Sequence, residues 1–147
     1  MNQNSVDILL VEDNMADAEL AIRELKKHKL ANNLYHARDG EEALDFIFCT
    51  GKFAGTRIIS DSPKVILLDI QMPKVNGIEV LEKIRLDDRT RLFPVVILTS
   101  SSEHPDVKKC YALGANSYIV KPVNFERFAA AIQNLGYYWI LSNHSPI

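Results

Sequence analysis

Apolar residues in this chain fall into short runs separated by stretches with helical spacing. The runs are VDILLV (6–11), NLYHA (33–37), KVILLD (64–69), PVVILT (94–99) and NSYIVK (116–121). Three of them are near-continuous aliphatic segments, the pattern of parallel strands covered on both faces. Between them lie amphipathic stretches. In MADAELAIRELKKH, Ala18, Ala21, Ile22 and Leu25 share one stripe. GEEALDFIFCTG ends on Gly51, a C-cap residue type. NGIEVLEKIRL sets Ile78, Leu81 and Ile84 at intervals of three. HPDVKKCYALG has Pro105 in a first turn and Gly114 just past its end. NFERFAAAIQNLGYYWIL is the last helix, with Asn124 as N-cap and Phe125, Phe128, Ala129 and Ile132 as core stripe.

The alternation predicts an α/β fold, (βα)5. Right-handed crossovers between parallel strands give a doubly wound five-stranded parallel sheet with helices on both faces. In the flavodoxin-like order 2-1-3-4-5, the first and third strands are neighbours at the switch point. The segment CTGKFAGTRIISDSPK is longer than a usual helix-to-strand connection and is expected to be a surface loop.

Length and composition set outer bounds. The 147 residues fit one domain, with a core expected over about 6–141 and no output domain after it. The residues are 47% hydrophobic and 24% charged, and the formal net charge is −2, which argues against a general nucleic-acid binder. No apolar run approaches the roughly 20 residues of a membrane span. The N-terminus lacks the basic n-region of a signal peptide. Cys49 and Cys110 lack metal-ligand spacing and read as reduced thiols of a cytoplasmic protein, with Cys110 buried. His28, His36, His104 and His144 share no such spacing either and read as structural or surface residues.

Candidate chemistry gathers where ligands bind in open α/β sheets, at the carboxyl ends of the strands. The first strand ends in Glu12 and Asp13, the third in Asp69, the fourth in Thr99 and Ser100, and the fifth in Lys121 and Pro122. A nucleotide phosphate would want a Gly/Ser-rich loop after the first strand; VEDNMAD would repel it. Two carboxylates about 4 Å apart repel by ~4 kcal/mol at an effective dielectric near 20, so three together call for a cation. Mg²⁺ suits them, because it takes one or two carboxylates and brings substrate phosphate with it. Asp69 could then attack phosphorus to form an aspartyl phosphate. The cation and Lys121 would neutralise oxygens of the transferring group, and Thr99 would donate to another.

With LLVEDN, LLDIQMPKVNG, VVILTS and GANSYIVKP in this order and at these intervals, the chain resembles the receiver domain of two-component response regulators over essentially its whole length. The resemblance implies that Asp69 is the phosphoacceptor, that Glu12 and Asp13 are the acidic metal pair, and that Gln71 offers its backbone carbonyl to Mg²⁺. It makes Thr99 the switch hydroxyl, Tyr118 the switch aromatic and Lys121 the site lysine, with Pro122 after a cis peptide bond. It also implies self-phosphotransfer and slow autodephosphorylation, not enzymatic turnover. IRLDDRTRLFPVVILTSS, the long loop before Lys64 and the ending LGYYWIL are similar to the stand-alone receivers that partner bacterial and cyanobacterial phytochromes. A phytochrome-type sensor histidine kinase is thus the implied partner. Val123 departs from the phenylalanine many receivers carry after Lys-Pro, a change expected to alter local packing and partner choice.

Plainer readings exist for single residues. Thr99 and Ser100 could terminate a strand, and Tyr118 could be plain core. Asp17, in a first helical turn, suits the helix N-terminus. The alternatives for the whole chain are an aspartyl-phosphate phosphatase and a phosphorylation-independent interaction module. Gln71 stands where some such phosphatases need a second acid, and a pure binding module would tolerate loss of the acids and lysine present here. Near the C-terminus, Tyr137, Tyr138 and Trp139 are consecutive and cannot all enter one core. They predict a self-association surface and a homodimer through the fourth helix, fifth strand and fifth helix.

Overall fold

The aliphatic runs build the sheet. The computed structural model describes residues 6–30, 33–72 and 75–135. Strands β1 (Ile8–Val11), β2 (Leu34–Ala37), β3 (Val65–Asp69), β4 (Val95–Thr99) and β5 (Ser117–Val120) all pair in parallel, in the order β2-β1-β3-β4-β5. This is the expected doubly wound arrangement. Every residue of β1, β3 and β4 is buried, whereas β2 and β5 stay partly open at the edges. Only the three interior strands are covered on both faces, so only they need to be aliphatic throughout.

Side chains alternate across the sheet and feed two cores. Leu9, Val11, Ile66, Leu68 and Ile97 pack with Phe46 and Ile47 of α2 (Gly40–Phe48), with Ile78, Leu81 and Ile84 of α3 (Gly77–Leu86) and with Cys110 of α4 (Pro105–Ala112). Ile8, Leu10, Leu67 and Leu98 pack on the other face with Ala18, Ala21 and Leu25 of α1 (Met15–Lys27) and with Phe128 and Ile132 of α5 (Phe125–Gln133). Each fully buried aliphatic side chain contributes roughly 1.5–3 kcal/mol. Four of the five helices start on Asn or Asp caps: Asn14, Asp39, Asn76 and Asn124 each accept from the backbone N–H three residues on, worth ~1 kcal/mol apiece.

Three local expectations are corrected. Helix α2 ends at Phe48, and Cys49, in the left-handed region at φ 58°, is its C-cap; Gly51 instead opens a short 3₁₀ helix, Gly51–Phe53. The connection after α2 is not merely a surface loop. Phe53 enters the core edge-on to Phe46 and Tyr35, with ring centroids 5.2 and 5.4 Å apart, and the Arg57 guanidinium lies 3.8 Å above the Phe46 ring. Aromatic burial is what makes so long a connection ordered. On α5 the buried face is Phe128, Ala131 and Ile132, so Ala131 takes the place expected for Ala129. Tyr137, Tyr138 and Trp139 lie outside the described residues.

A convergent acid cluster at the carboxyl edge of the sheet

Strand order brings the predicted residues together. The β1–β3 register pairs Val11 with Leu68, so the next residues, Glu12 and Asp69, leave adjacent strands side by side. The β4–β5 register pairs Thr99 with Val120, and the Lys121 N–H donates to the Thr99 carbonyl at 2.8 Å. Glu12, Asp69 and Thr99 are buried at 1%, 2% and 1% exposure, while Asp13 is half-buried. One carboxylate oxygen from each of Glu12, Asp13 and Asp69 lies within 4.8 Å of the other two. Three hard oxygen donors without sulfur or imidazole suit a hard divalent cation such as Mg²⁺, Mn²⁺ or Ca²⁺.

Lys121 closes the cluster. Its Nζ lies 2.8 Å from Glu12 Oε1, 3.2 Å from Asp69 Oδ2 and 3.2 Å from Asp17 Oδ2. Burial alone would depress this ammonium, but the hydrogen bond to Glu12 and the charges of Asp69 and Glu12 outweigh it, so it is held above the ordinary lysine range. Glu12 is pushed up to about 8, by burial first and then by its hydrogen bond to Asp69, against the opposing pull of Lys121. Burial and the neighbouring Asp69 both disfavour negative charge on Glu12, which marks a place where positive charge is short. A bound cation would supply it. The Lys121–Pro122 peptide is cis, as expected.

The remaining side chains surround Asp69. The Gln71 N–H donates to Asp69 Oδ1 at 3.0 Å, two residues along the same loop. The Thr99 hydroxyl donates to the Ser101 carbonyl at 3.0 Å, and so is turned toward its own loop. Ser100 is exposed. Tyr118 is half-buried, edge-on to Tyr111 at 6.1 Å between centroids. Val123 is buried and joins the core shared by α1 and α5. Cys110 is fully buried, as expected, and burial pushes its thiol up to about 11.

Three residues near the site have partners the sequence did not reveal. Asp17 was legible as a helix-start acid, yet its carboxylate reaches Lys121 from 104 positions away. His36 Nε2–H donates to the Glu12 carbonyl at 2.7 Å, fixing the end of β1. His104 caps α4, its Nδ1 accepting from the Asp106 N–H at 3.1 Å. Its Nε2 then carries the proton and lies 2.7 Å from the Gln71 side-chain amide, whose oxygen is the atom able to accept there. Only the Asp17 contact had a local signal, an acid one helical turn beyond the strand.

Comparison with known proteins gives a consistent picture. Residues 8–133 match the response regulator receiver domain family. The bacteriophytochrome response regulator AtBRR is 48% identical, with a TM-score of 0.82 over 90% of this chain and 93% of that one. The response regulator Rcp1 of Synechocystis sp. is 35% identical over 133 residues, covering 90% of this chain and 88% of Rcp1. A solved structure of Rcp1 is its Mn²⁺-bound form, with a TM-score of 0.71 over 95% of this chain and 98% of that one, at 34% identity. The probable methanogenesis regulatory protein FilR2 of Methanothrix harundinacea is 38% identical over 139 residues, covering 95% of this chain and 86% of FilR2.

Proposed function

This chain belongs to the response regulator receiver domain family, and from that premise we propose that Asp69 accepts a phosphoryl group from the phosphohistidine of a sensor histidine kinase of the bacterial phytochrome type. The observation that carries the proposal is the dressing of one carboxylate. Asp69 Oδ1 accepts from the Gln71 N–H at 3.0 Å and Oδ2 faces Lys121 Nζ at 3.2 Å, beside two further acids. That arrangement orients a nucleophile and stations a cation where charge develops.

In the reaction an Asp69 oxygen forms a bond to phosphorus while the phosphorus–nitrogen bond of the phosphohistidine breaks, and imidazole leaves. Glu12, Asp13, Asp69 and the Gln71 backbone carbonyl would hold Mg²⁺. When bound, the cation offsets the negative charge of the transferring oxygens. Lys121 neutralises a further oxygen. Thr99 gives up its bond to Ser101 and donates to the phosphoryl group, which lets Tyr118 turn inward on the face formed by α4, β5 and α5. A local charge change is thereby read out as a surface change. We place the protein in the cytoplasm, working as a single receiver domain that pairs as a homodimer across that face. The phosphoryl group leaves again by slow self-hydrolysis. Among the described residues, no helix is long and apolar enough to cross a membrane.

The test is labelling by a small acyl phosphate, followed by intact-protein mass, for wild type and Asp69→Asn, with and without Mg²⁺. Metal-dependent addition of one phosphoryl group, lost in the variant, is the expected result. Absence of label on the wild type at saturating donor overturns the proposal.

A further inference from the structure

Lys121 carries more negative partners than its part in phosphoryl transfer requires. An ammonium has three N–H donors and no acceptor. Here three carboxylates surround it: Glu12 at 2.8 Å, Asp69 at 3.2 Å and Asp17 at 3.2 Å. No donor is left over for an incoming phosphoryl oxygen. One of the three carboxylates must give way before Lys121 can serve that oxygen. Glu12 and Asp69 are buried and belong to the acid cluster, as acids of the cation site and as the nucleophile. Asp17 has neither role. Its side chain is 40% exposed at the outer rim, where it lines a small cleft together with Glu12, Lys121, Leu20, Pro122 and Val123.

Asp17 is not there by accident of a long, wandering side chain. It sits in the first turn of α1, where its own N–H donates to the Asn14 cap at 3.0 Å. The cap fixes the turn, and the turn aims a short carboxylate at Lys121. Burial of Ala18 and Ala21 against the sheet holds the helix in that position.

We infer that Asp17 is a positioning residue that holds the Lys121 ammonium at the α1 rim and so sets how strongly the pocket draws a phosphodonor. It acts twice in the same direction. It occupies one N–H that the phosphoryl group needs, and it places a negative charge beside the path of a dianionic group. Both effects weaken donor capture, and neither touches the bond-making step at Asp69. The role presupposes that Asp69 is the acceptor, as proposed above.

The experiment measures initial labelling rate against acetyl phosphate concentration, at saturating Mg²⁺, for wild type, Asp17→Asn and Asp17→Glu. Asparagine keeps an acceptor for Lys121 and removes the charge; glutamate keeps the charge. The half-saturating donor concentration is expected to fall about fivefold in Asp17→Asn, the scale of a partly exposed ion pair acting on a multiply charged ligand. The plateau rate should stay within about twofold of wild type, and Asp17→Glu should lie nearer wild type than Asp17→Asn. The difference should shrink in ~1 M salt, where the screening length is about 3 Å. A merely structural role would be neither reversed by glutamate nor screened by salt. Equal or higher half-saturation in Asp17→Asn, or a change confined to the plateau rate, overturns the role of Asp17 and leaves Asp69 as acceptor. An unlabelled wild type overturns the acceptor reading and this role with it.

Discussion

Replacing Gly77 with alanine sets two effects of opposite sign against each other. Gly77 is the first residue of α3, and its φ is not in the left-handed region, so alanine fits the backbone. On propensity and unfolded-state entropy alone, Gly77→Ala would stabilise by about 0.5–1 kcal/mol. Space argues the other way. A Cβ there would press on the Asp69 carbonyl oxygen and stand 2.6 Å from Ile70 Cα and 2.9 Å from the Asp69 carbonyl carbon, where ordinary contacts begin at 3.4 Å. All three atoms are backbone, so no side chain can swing aside. The start of α3 and the end of β3 would have to separate by several tenths of an ångström, and overpacking of this kind costs roughly 1–3 kcal/mol. The clash therefore wins, leaving a net loss of about 1–2 kcal/mol, or ~2–8 °C in Tm for a domain of this size. Urea midpoints of the two proteins measure the loss. Because the displaced strand end carries Asp69, phosphodonor labelling should slow as well. An unchanged or raised urea midpoint would refute the claim that α3 is seated directly against the strand that presents Asp69.

Two further predictions follow from the electrostatics and the packing. Glu12, raised to about 8, binds its proton more tightly in the folded than in the unfolded protein. Its stabilising contribution is therefore present below about pH 4.5 and is lost as pH rises through about 8, by a few kcal/mol at most. Denaturant midpoints taken in chelator should fall over that window and flatten in Glu12→Gln, and added Mg²⁺ should stabilise more at pH 8 than at pH 6; a flat wild-type profile would remove the raised Glu12. Arg85 donates to the carbonyls of Gly114, Arg91 and Phe93 and to Asn116 Oδ1 at 2.7–3.1 Å, tying α3 to the turns before β4 and β5. Arg85→Ala should cost about 2–4 kcal/mol by urea denaturation, and Arg85→Lys should recover less than half, since one ammonium cannot span the fork. A loss under about 0.5 kcal/mol would mean that these bonds are replaced by water at no cost.

Much of the site could be read along the chain because a parallel sheet converts order into place. Each aliphatic run ends where its strand ends, and all strands end at one edge, so Glu12, Asp13, Asp69, Thr99 and Lys121 could be assembled from four local patterns. The Asn124 cap was legible for the same reason, since capping is decided within four residues. On α5 the buried small residue is Ala131, two positions beyond Ala129, and Cys49 rather than Gly51 ends α2, because helix boundaries depend on the last turn rather than on periodicity.

What the one-dimensional pattern determined about this protein is therefore the set of elements, their order and the residues at their ends. Only the tertiary structure decided which of two neighbouring acids is buried, Glu12 rather than Asp13. It also decided that Phe53 and Arg57 of the long connection pack on Phe46, that Thr99 turns to Ser101, and that Asp17 shares Lys121 with two other carboxylates. Periodicity reports which face of an element is dry, and that is a local property. Side-chain meetings across about a hundred residues depend on how crossovers seat α1 and β5 against β1 and β3, and on rotamers chosen by packing and hydrogen bonding, for which neighbours in the chain carry no record.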